Sequence, residues 1–565
     1  MRKIRWQLVI ILLTGMVVGA LLLTQKQPGA AVVQNTPAPA TGGIYTEALI
    51  GSFKRFNPLL DSYNQPDRDV DRLLFNGLIR FDSLGNPQPD LADAWGISAD
   101  GTTYNVELRK NLSWQDGKPV TSDDVIFTYN LLRSDSQYVP ADLRKLWKDV
   151  EIKKLDSRTL QFRLPEAFSP FLDYLTVGIL PEHLLGGQTL DKIVDSQFNI
   201  QPVGTGPYRL DHLIVENNQV KGVVLGIFDR YYGKKPYIQQ FVFRYYPDGK
   251  SALQAYQANE VQGIANVSND ILPSVLAESG LSLYTAREPQ LSLVLFNLKN
   301  DDVPFFQDAK VRSALMDGLN RQWIVDHVLD GQAIVANSPL FPDSWAYYSE
   351  ISKVSFDPTA AAAALKNDGY SLPTGGDKIW TKNGKPISFT LLYPDDPQHK
   401  AVAQAIAANW TGLNVKVALQ AQPYDQLISG SLVQRDFEAA LVDLNLNNSP
   451  DPDPYPFWDE AQAKDGQNYT QWSNRTASEY LEQARITTDI GERTKLYRNF
   501  QLIFMRDVPA IPIDYPVYNY AVDRQVQGIR MGPLYDPSDR FATVTDWFLA
   551  ARAPSQKTPV PTSTP

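Results

Sequence analysis

Residues 104–132 constrain the fold most, because three local signals follow one another in the order strand, turn and helix. Their sequence is YNVELRKNLSWQDGKPVTSDDVIFTYNLL. The first residues alternate between apolar and polar types, which is typical of a half-buried strand. Asp116-Gly117 then predicts a turn, since glycine adopts positive φ without steric cost. Thr121 and Asp124 have the spacing of a capping box, and apolar residues at helical spacing follow them. The segment therefore predicts a strand, a turn and an amphipathic helix, a combination that many folds contain.

The length and composition of the chain indicate a globular protein with more than one domain. A single hydrophobic core stops growing near ~250–300 residues, so a chain of 565 residues is expected to form two or three domains. The hydrophobic content of 43% and the aromatic content of 11% fit a folded protein rather than a disordered one. The net charge of −10 argues against a nucleic-acid-binding surface, which is usually basic.

The N-terminus has the pattern of a membrane-targeting segment. Three basic residues precede an apolar run over residues 8–23, which predicts insertion with the N-terminus inside the cell. No A-x-A-like cleavage site follows the run closely, so residues 1–23 are predicted to be an uncleaved anchor, with a cleaved signal peptide as the alternative. Residues 24–42 and 551–565 are rich in Pro and Thr and are predicted to be a flexible linker and a disordered tail.

The C-terminal half of the chain alternates predicted strands with predicted helices. Residues 387–394, 414–419 and 437–444 have strand patterns, and residues 402–410 and 424–432 between them have helical patterns. Strands that are joined by crossover helices of this length predict a parallel α/β layer.

Residue patterns that carry catalysis or hold a metal do not occur in the sequence. The chain has no cysteine, which excludes disulfides, thiol catalysis and thiolate metal sites. None of its four histidines has the spacing of zinc ligands, and nucleophile-elbow, Walker and dinucleotide-binding patterns are absent from the sequence. Asp451-Pro452-Asp453-Pro454 lacks the glycine and the glutamate of a calcium loop and is predicted to be a rigid turn. We therefore expect a binding protein with no metal, no cofactor and no enzymatic reaction.

Several short motifs occur in an order that one protein family shares. Residues 114–127 read W-x-D-G-x-P-x-[ST]-x-[DE]-D-V-x-[FY]. The other motifs, in chain order, are Asn57-Pro58-Leu59, Asn76-Gly77-Leu78, Asp90-Leu91-Ala92 with Trp95, Val203–Tyr208, Val311–Leu315 with Asn320-Arg321, Asp451–Pro454 and Gln467-Asn468-Tyr469. Each motif is weak alone. Together, over roughly residues 43–550, they resemble the peptide-type (family 5) solute-binding proteins of bacterial ABC importers.

The resemblance implies an α/β, two-lobed periplasmic-binding-protein-like fold of type II, cluster C, with an inserted third subdomain. The implied segments are 43–80, 205–288 and 509–550 for lobe I, 81–204 for the inserted subdomain and 289–508 for lobe II. The two crossings of the chain between the lobes would form a hinge that closes around a ligand. Many members of the family are lipoproteins held by a lipidated cysteine. This chain has no cysteine, which favours the peptide anchor.

The resemblance also implies a ligand-binding loop after the strand predicted at residues 437–444. Asp443, Asn445 and Asn447 lie at the carboxyl end of this strand, where ligands of α/β folds usually bind. In peptide-binding members an acidic residue of this loop pairs with the α-ammonium of the peptide, and Asn447 stands at that position here. An amide offers only a dipole to a buried ammonium, so a neutral ligand such as an oligosaccharide is the alternative to a peptide. A polar loop that merely caps the sheet is the structural alternative.

Two further segments are expected to contact the ligand. Tyr63 and Asn64 lie where family members contact ligand from the first lobe, and Asp514 and Tyr515 lie in the segment that returns to that lobe. The assignment rests on the resemblance. For both tyrosines, packing in the core is the alternative.

The sequence favours a monomeric solute-binding receptor of an ABC importer on the extracytoplasmic face of the plasma membrane, anchored by residues of about 6–23. This receptor would bind a peptide or another small polar solute between two lobes and deliver it to the permease subunits. The ligand would stabilise the closed state only by as much as it binds that state better. A membrane-anchored ligand sensor or chaperone of the same fold is the alternative. A hydrolase is a remote alternative, and glycoside cleavage would require paired carboxylates.

Overall fold

The computed structural model describes residues 39–446 and 450–550. Residues 41–549 form one compact unit. The predicted anchor, most of the predicted linker and the predicted tail lie outside the described residues. Within the two described ranges, no helix is both long enough and apolar enough to cross a bilayer.

The structure contains a large number of short strands and helices. The strands are β1 (Ile44–Ile50), β2 (Ile79–Phe81), β3 (Pro87–Pro89), β4 (Ala92–Ile97), β5 (Thr103–Leu108), β6 (Glu151–Lys154), β7 (Thr159–Arg163), β8 (Tyr208–Glu216), β9 (Gln219–Ile227), β10 (Gln240–Tyr246), β11 (Gly263–Ile264), β12 (Leu281–Arg287), β13 (Gln290–Phe296), β14 (Ala333–Val335), β15 (Thr381–Lys382), β16 (Lys385–Pro386), β17 (Ser388–Pro394), β18 (Lys416–Gln422), β19 (Ala439–Asn445), β20 (Ala510–Asp523), β21 (Val526–Gln527) and β22 (Phe548–Leu549). The α-helices are α1 (Gln65–Leu74), α2 (Ser122–Leu132), α3 (Ala141–Asp149), α4 (Glu182–Leu185), α5 (Leu190–Ile193), α6 (Gly249–Gln257), α7 (Leu272–Ala277), α8 (Ala309–Asp317), α9 (Arg321–His327), α10 (Pro358–Asn367), α11 (Pro397–Gly412), α12 (Tyr455–Trp458), α13 (Arg475–Ile486) and α14 (Ile490–Asp507).

The strand, turn and helix predicted for residues 104–132 are confirmed. β5 lies inside a four-stranded antiparallel sheet of order β4-β5-β7-β6, and its side chains alternate between buried and exposed. Gly117 has a φ of +93°, the left-handed conformation that the turn requires. At the start of α2, the Thr121 side chain accepts from the main-chain N–H of Asp123, and the Asp124 side chain accepts from that of Thr121. This capping box satisfies N–H groups that have no partner within the helix.

The Val203–Tyr208 motif packs against the end of α1, and its glycines are required by the close approach of two backbones. A Cβ on Gly204 would lie 1.9 Å from the carbonyl oxygen of Leu74, which no side chain tolerates. The Gly206 N–H donates to this same oxygen over 2.8 Å. Gln115 joins the contact, because its side chain accepts from the Gly204 N–H and donates to the Tyr208 carbonyl. The motif thus attaches the segment before α2 to the first helix.

The parallel α/β layer predicted in the C-terminal half is confirmed in part. β17 pairs in parallel with both β18 and β19, and α11 forms the crossover from β17 to β18. The next strand of the sheet, β13, is antiparallel to β19 and to β20, so the layer is mixed. The helical pattern at residues 424–432 forms a π-helix over Gln426–Leu432, in which the Ser429 hydroxyl donates to the Asp425 carbonyl. Such bonding of serine to its own helix backbone competes with regular α-helical bonds.

One long strand connects two hydrophobic cores. β20 lies in the middle of a twelve-stranded sheet of order β18-β17-β19-β13-β20-β11-β1-β10-β9-β8, and β12 and β14 also pair with it. Its first residues pair with β13 and belong to a core that extends from Leu291 to Tyr515. Its last residues pair with β12 and belong to a second core, which contains residues of β1, the β4–β7 sheet and the C-terminal segment. The α/β fold therefore has two lobes, and β20 crosses directly from one to the other.

Candidate ligand-binding cleft

A cleft of about 660 Å³ lies between the two cores. One wall comes from the loop before α1, from α1 itself and from the segment around Tyr535. The opposite wall comes from Phe341 and from residues around Asn445 and Pro452, all of which belong to the other core or lie beside it. The segments around Tyr138 and Tyr174 close one side. Each lobe thus contributes part of the same concave surface.

The lobe I wall contains two ion pairs between α1 and the C-terminal segment. Arg68 lies 2.6 Å from Asp536, and Arg72 lies 2.9 Å from Asp539. Burial and the Asp536 charge act in opposite directions on Arg68, and the net effect raises its pKa. The two ion pairs hold the C-terminal segment in place as part of the cleft wall.

The lobe II wall is built on a guanidinium that lies beneath it. Arg493 of α14 binds both carboxylate oxygens of Asp451, over 2.5 and 2.8 Å, and also donates to the Tyr497 hydroxyl. The main-chain N–H of Asp451 in turn donates to the Asp173 carboxylate over 3.0 Å. Burial, followed by the charge of Asp451, raises the pKa of Asp173 well above its ordinary value. This hydrogen bond joins the segment before α4 to lobe II across one side of the cleft.

The Asp451–Pro454 segment, which the sequence predicts to be a rigid turn, also supplies charge to the cleft. Asp453 lines the cleft and lies 2.8 Å from Arg485 of α13. The guanidinium of Arg485 stacks over the rings of Tyr455 and Phe168, at 4.1 and 5.1 Å from their centroids. Sequence reasoning treated this segment as a structural turn, because the arginines that pair with it lie more than 30 residues away.

The structure separates the two residues that were predicted to contact the ligand from lobe I. Tyr63 lines the cleft, and its side chain is 87% exposed, which leaves the ring available to a ligand. Asn64 occupies the position before α1, where its side-chain amide donates to the Ser52 carbonyl over 3.1 Å. Asn64 is not among the described residues that line the cleft.

At the end of β19, the chain reaches the cleft at Asn445 and not at Asp443. Asn445 lines the cleft, whereas Asn447 lies outside the described residues. Asp443 instead accepts from the Ser292 hydroxyl over 2.5 Å and bonds to the His399 ring over 2.9 Å. Successive residues of a strand point to opposite faces, so Asp443 and Asn445, two positions apart, share a face of β19. Asp443 does not line the cleft because its side chain binds His399.

Asp514 and Tyr515 are placed in the lobe II core, away from the described cleft wall. β20 is buried on both faces at this point, because the consecutive residues from Ala510 to Tyr515 are all buried. The Tyr515 hydroxyl donates to the carbonyls of Ser338 and Leu340, each over 2.7 Å. Burial, together with the charge of Asp443, raises the pKa of Asp514 to about 8. For Tyr515, the arrangement matches core packing, the alternative kept open in the sequence analysis.

Sequence reasoning missed three buried acidic residues of the cleft. Asp61, Asp71 and Asp173 line the cleft but carry no family motif, and their burial could not be read from the chain. One signal was available. The first helix has three aspartates and two arginines within six consecutive positions, an unusual density of charge for an element that also contains buried leucines.

His399 predicts a measurable dependence of stability on pH. Burial alone would lower its pKa, but hydrogen bonding and the charges of Asp443 and Asp396 outweigh burial and raise the pKa to about 9. Because the folded value lies above the ordinary value, the charged ring stabilises the fold fully below about pH 6.5, and this stabilisation is lost as the pH rises through 9. We expect His399→Gln to lower the free energy of unfolding by about 3 kcal/mol at pH 6, and the loss to shrink towards pH 9.

Urea unfolding of both proteins between pH 5.5 and 9.5 measures this difference. His212→Gln is the matched control, because the His212 side chain is 61% exposed and its substitution is expected to change the free energy of unfolding only slightly. A His399→Gln difference of the same size at pH 6 and pH 9 would contradict the prediction.

Comparison with known proteins identifies the family. Residues 86–467, more than half of the chain, match the family described as "Bacterial extracellular solute-binding proteins, family 5 Middle". The chain belongs to this family. Family 5 proteins bind solutes outside the cytoplasm, and the chain is accordingly an extracytoplasmic solute-binding protein with a two-lobed fold.

Relatives of this family 5 protein extend over almost its whole length. It is 27% identical to the oligopeptide-binding protein AppA of Bacillus subtilis over 534 residues, which cover 93% of this chain and 95% of the relative. It is 25% identical to the dipeptide-binding protein of Escherichia coli over 509 residues, which cover 86% of this chain and 91% of the relative. The structure of Bacillus subtilis AppA in complex with a nonapeptide superimposes with a TM-score of 0.69 at 26% identity, covering 91% of this chain and 100% of AppA.

Proposed function

We propose that this protein captures a peptide in the cleft between its lobes and delivers it to the permease of an ABC importer. The observation that carries the proposal is that residues of both hydrophobic cores line the same cleft. The two lobes on either side of this cleft are joined by β20. The names of two relatives, an oligopeptide-binding and a dipeptide-binding protein, support a peptide as the solute.

The geometry supports capture without a chemical reaction. Two rigid cores joined by a shared strand can move as bodies, and closure around a ligand is favoured by the difference in affinity between the closed and open states. A volume of about 660 Å³ lies within the range of ~300–1,000 Å³ that is typical of small-molecule sites. The exposed ring of Tyr63 offers an aromatic surface in the cleft, which suits apolar side chains of a peptide.

Two alternatives remain for the same fold. An oligosaccharide would bind through amides and aromatic rings without requiring a charge. Asn447, which stands where peptide-binding members have an acidic residue, favours this alternative. A ligand sensor or chaperone would use the same closing movement without a permease. We propose in addition that residues 1–23 keep the protein at the membrane, which would suit a receptor and a sensor equally.

Native mass spectrometry of the full chain, purified without refolding, tests the proposed function. We expect a retained mass that fragments as a peptide and is released on unfolding, and we expect the protein to co-purify with permease subunits from its own membranes. A retained carbohydrate, or a ligand that is consumed during incubation, would contradict capture of a peptide. Co-purification with a signalling partner in place of the permease would favour the sensor.

A cleft-filling substitution provides the matched pair of variants. Ser344 lines the cleft, so Ser344→Trp is expected to abolish the retained mass, because the indole fills space that the ligand occupies. Ser349 lies in the same loop but is exposed and is not among the described lining residues, so Ser349→Trp is expected to retain it. Equal retention by the two folded variants would place the ligand elsewhere on the protein.

A further inference from the structure

The described cleft wall has more acidic than basic residues. Seven aspartates and three arginines line it, and there is no lysine or glutamate among the described lining residues. The ion pairs of the cleft neutralise four of these aspartates, and a fifth, Asp173, accepts a main-chain N–H. Of the other two, Asp61 lies 3.8 Å from Arg68, which it shares with Asp536, and Asp71 has no ion pair among the described residues.

The arginines of the wall are already engaged. Arg68 and Arg72 bind aspartates of the C-terminal segment, and Arg287 lies 3.0 Å from Asp343 with its guanidinium 3.9 Å above the Phe341 ring. A carboxylate on the solute would therefore compete with existing ion pairs. A positive charge on the solute would instead meet Asp61, which shares Arg68 with Asp536, and Asp71, which has no ion pair among the described residues.

Asp71 is the more buried of the two. Asp71 is 3% exposed, and both of its carboxylate oxygens are shielded from solvent. Neither oxygen has a hydrogen-bond partner among the described residues. The main-chain N–H of Asn57 lowers the pKa of this carboxyl but does not reach it in hydrogen-bond geometry. Burial, followed by the charges of Asp61 and Asp67, raises the pKa of Asp71 well above its ordinary value. A buried carboxyl without a partner is destabilising unless a ligand or a proton compensates it.

Asp61 lies in the same wall and is 8% exposed. Its nearest cation is the Arg68 guanidinium at 3.8 Å, whose other nitrogen binds Asp536 at 2.6 Å. Burial raises the pKa of Asp61 to about 8 even though Arg68 opposes the shift. Charge compensation at Asp61 is thus incomplete within the protein itself.

A second polar group of the wall also lacks a partner. Tyr535 lines the cleft and is 8% exposed, and its hydroxyl is buried without a hydrogen-bond partner among the residues described. Buried hydroxyls are normally bonded, so this hydroxyl is available to a polar group of the solute or to a water molecule in the cleft. This observation is independent of the aspartates.

We propose that the solute carries a cationic nitrogen, an ammonium or a guanidinium, which binds the lobe I wall at Asp61, with Asp71 as the neighbouring carboxyl. The inference rests on the proposed function and names the chemistry of the captured solute. It differs from recognition by the loop after β19, because Asp61 and Asp71 belong to the opposite lobe. The nitrogen comes either from the N-terminus of a peptide or from a basic side chain.

Four tripeptides separate these sources by isothermal titration calorimetry on the full chain. They are Ala-Lys-Ala and Ala-norleucine-Ala, each with a free and with an acetylated N-terminus. If a side chain supplies the cation, the norleucine peptide binds at least about tenfold more weakly than the lysine peptide, with either a free or an acetylated N-terminus. If the N-terminus supplies it, acetylation causes this loss instead. Equal affinity for all four peptides overturns the cationic inference and leaves the peptide receptor intact, whereas no binding of any peptide overturns the proposed function as well.

The variants Asp61→Asn and Asp71→Asn test the wall itself. Each is expected to abolish most of the preference for the cationic peptide, while the midpoint of thermal unfolding stays equal or rises, because an uncompensated buried carboxylate has been removed. Asp302→Asn changes an exposed aspartate and is expected to alter neither. If the two wall variants keep the full preference, or if they unfold earlier while the ratio of affinities is unchanged, the aspartates are structural and the inference is wrong.

Discussion

Replacing Arg540 by leucine is expected to lower the free energy of unfolding by about 3–5 kcal/mol. The Arg540 side chain is fully buried and binds two carboxylates at once. Its guanidinium donates to both oxygens of Asp69 over 2.8 Å and to Glu47 over 2.7 and 3.2 Å. Leucine would leave two buried carboxylates without a cation, and this penalty is much larger than the value of the pair itself.

Urea unfolding at pH 7, followed by tryptophan fluorescence, measures this loss. Trp547 is fully buried in the same core and reports on it directly. Arg530→Leu is the control, because the Arg530 side chain is 72% exposed in its pair with Asp546 and is expected to cost less than about 1 kcal/mol.

A compensated variant makes the result interpretable. Glu47→Gln and Asp69→Asn, added to Arg540→Leu, remove the two stranded charges and are expected to recover part of the loss. If the triple variant is less stable than Arg540→Leu alone, the loss comes from packing rather than from unpaired charge. If Arg540→Leu and Arg530→Leu unfold at the same urea concentration, the prediction fails.

Replacing Arg493 by alanine is expected to lower the free energy of unfolding by about 3–5 kcal/mol and to weaken peptide binding. The Arg493 side chain is 4% exposed, and its guanidinium holds Asp451 through two hydrogen bonds. Without it, Asp451 and Asp173 would form a buried pair of acids that share no cation, and like charges at close range disfavour each other. Because both line the cleft, the wall itself is expected to rearrange.

Arg498→Ala is the matched control for this second substitution. Arg498 lies on the same helix, is exposed and stacks over Tyr348 at 4.4 Å, so its removal is expected to change stability by less than about 1 kcal/mol. Arg493→Lys keeps the charge but loses the bidentate hydrogen bonding to Asp451. Its free energy of unfolding is expected to lie between those of the unchanged protein and Arg493→Ala. Unchanged stability and unchanged peptide affinity in Arg493→Ala would show that Asp451 is held by other contacts.

The family and much of the local structure could be predicted from the sequence. The signals in residues 104–132 act between neighbours, and the structure shows the strand, the turn glycine and the capping box at the predicted positions. The parallel pairing of β17 with its two neighbours was also predicted, since it follows from alternating strand and helix patterns. The antiparallel approach of β13 could not be predicted, because it depends on a segment that precedes β19 by almost 150 residues.

The candidate site was only partly predictable. Tyr63 and Asn445 line the cleft, and their contact with a ligand stays a prediction, whereas Asp443 and Asn64 use their side chains in hydrogen bonds within the protein. A sequence pattern can show that a residue follows a strand. It does not show whether another side chain will arrive to bind it, as His399 does for Asp443.

The sequence by itself determined the family, the order of local elements and the absence of cysteine chemistry, because these depend on residue identity and on interactions between near neighbours. Only the tertiary structure decided which charges are buried and which are paired. Arg540 meets Glu47 across 493 positions, and Asp451 meets Asp173 across 278. Desolvation and pairing depend on which distant segments pack together, so the charge left uncompensated in the cleft becomes visible only in the folded molecule.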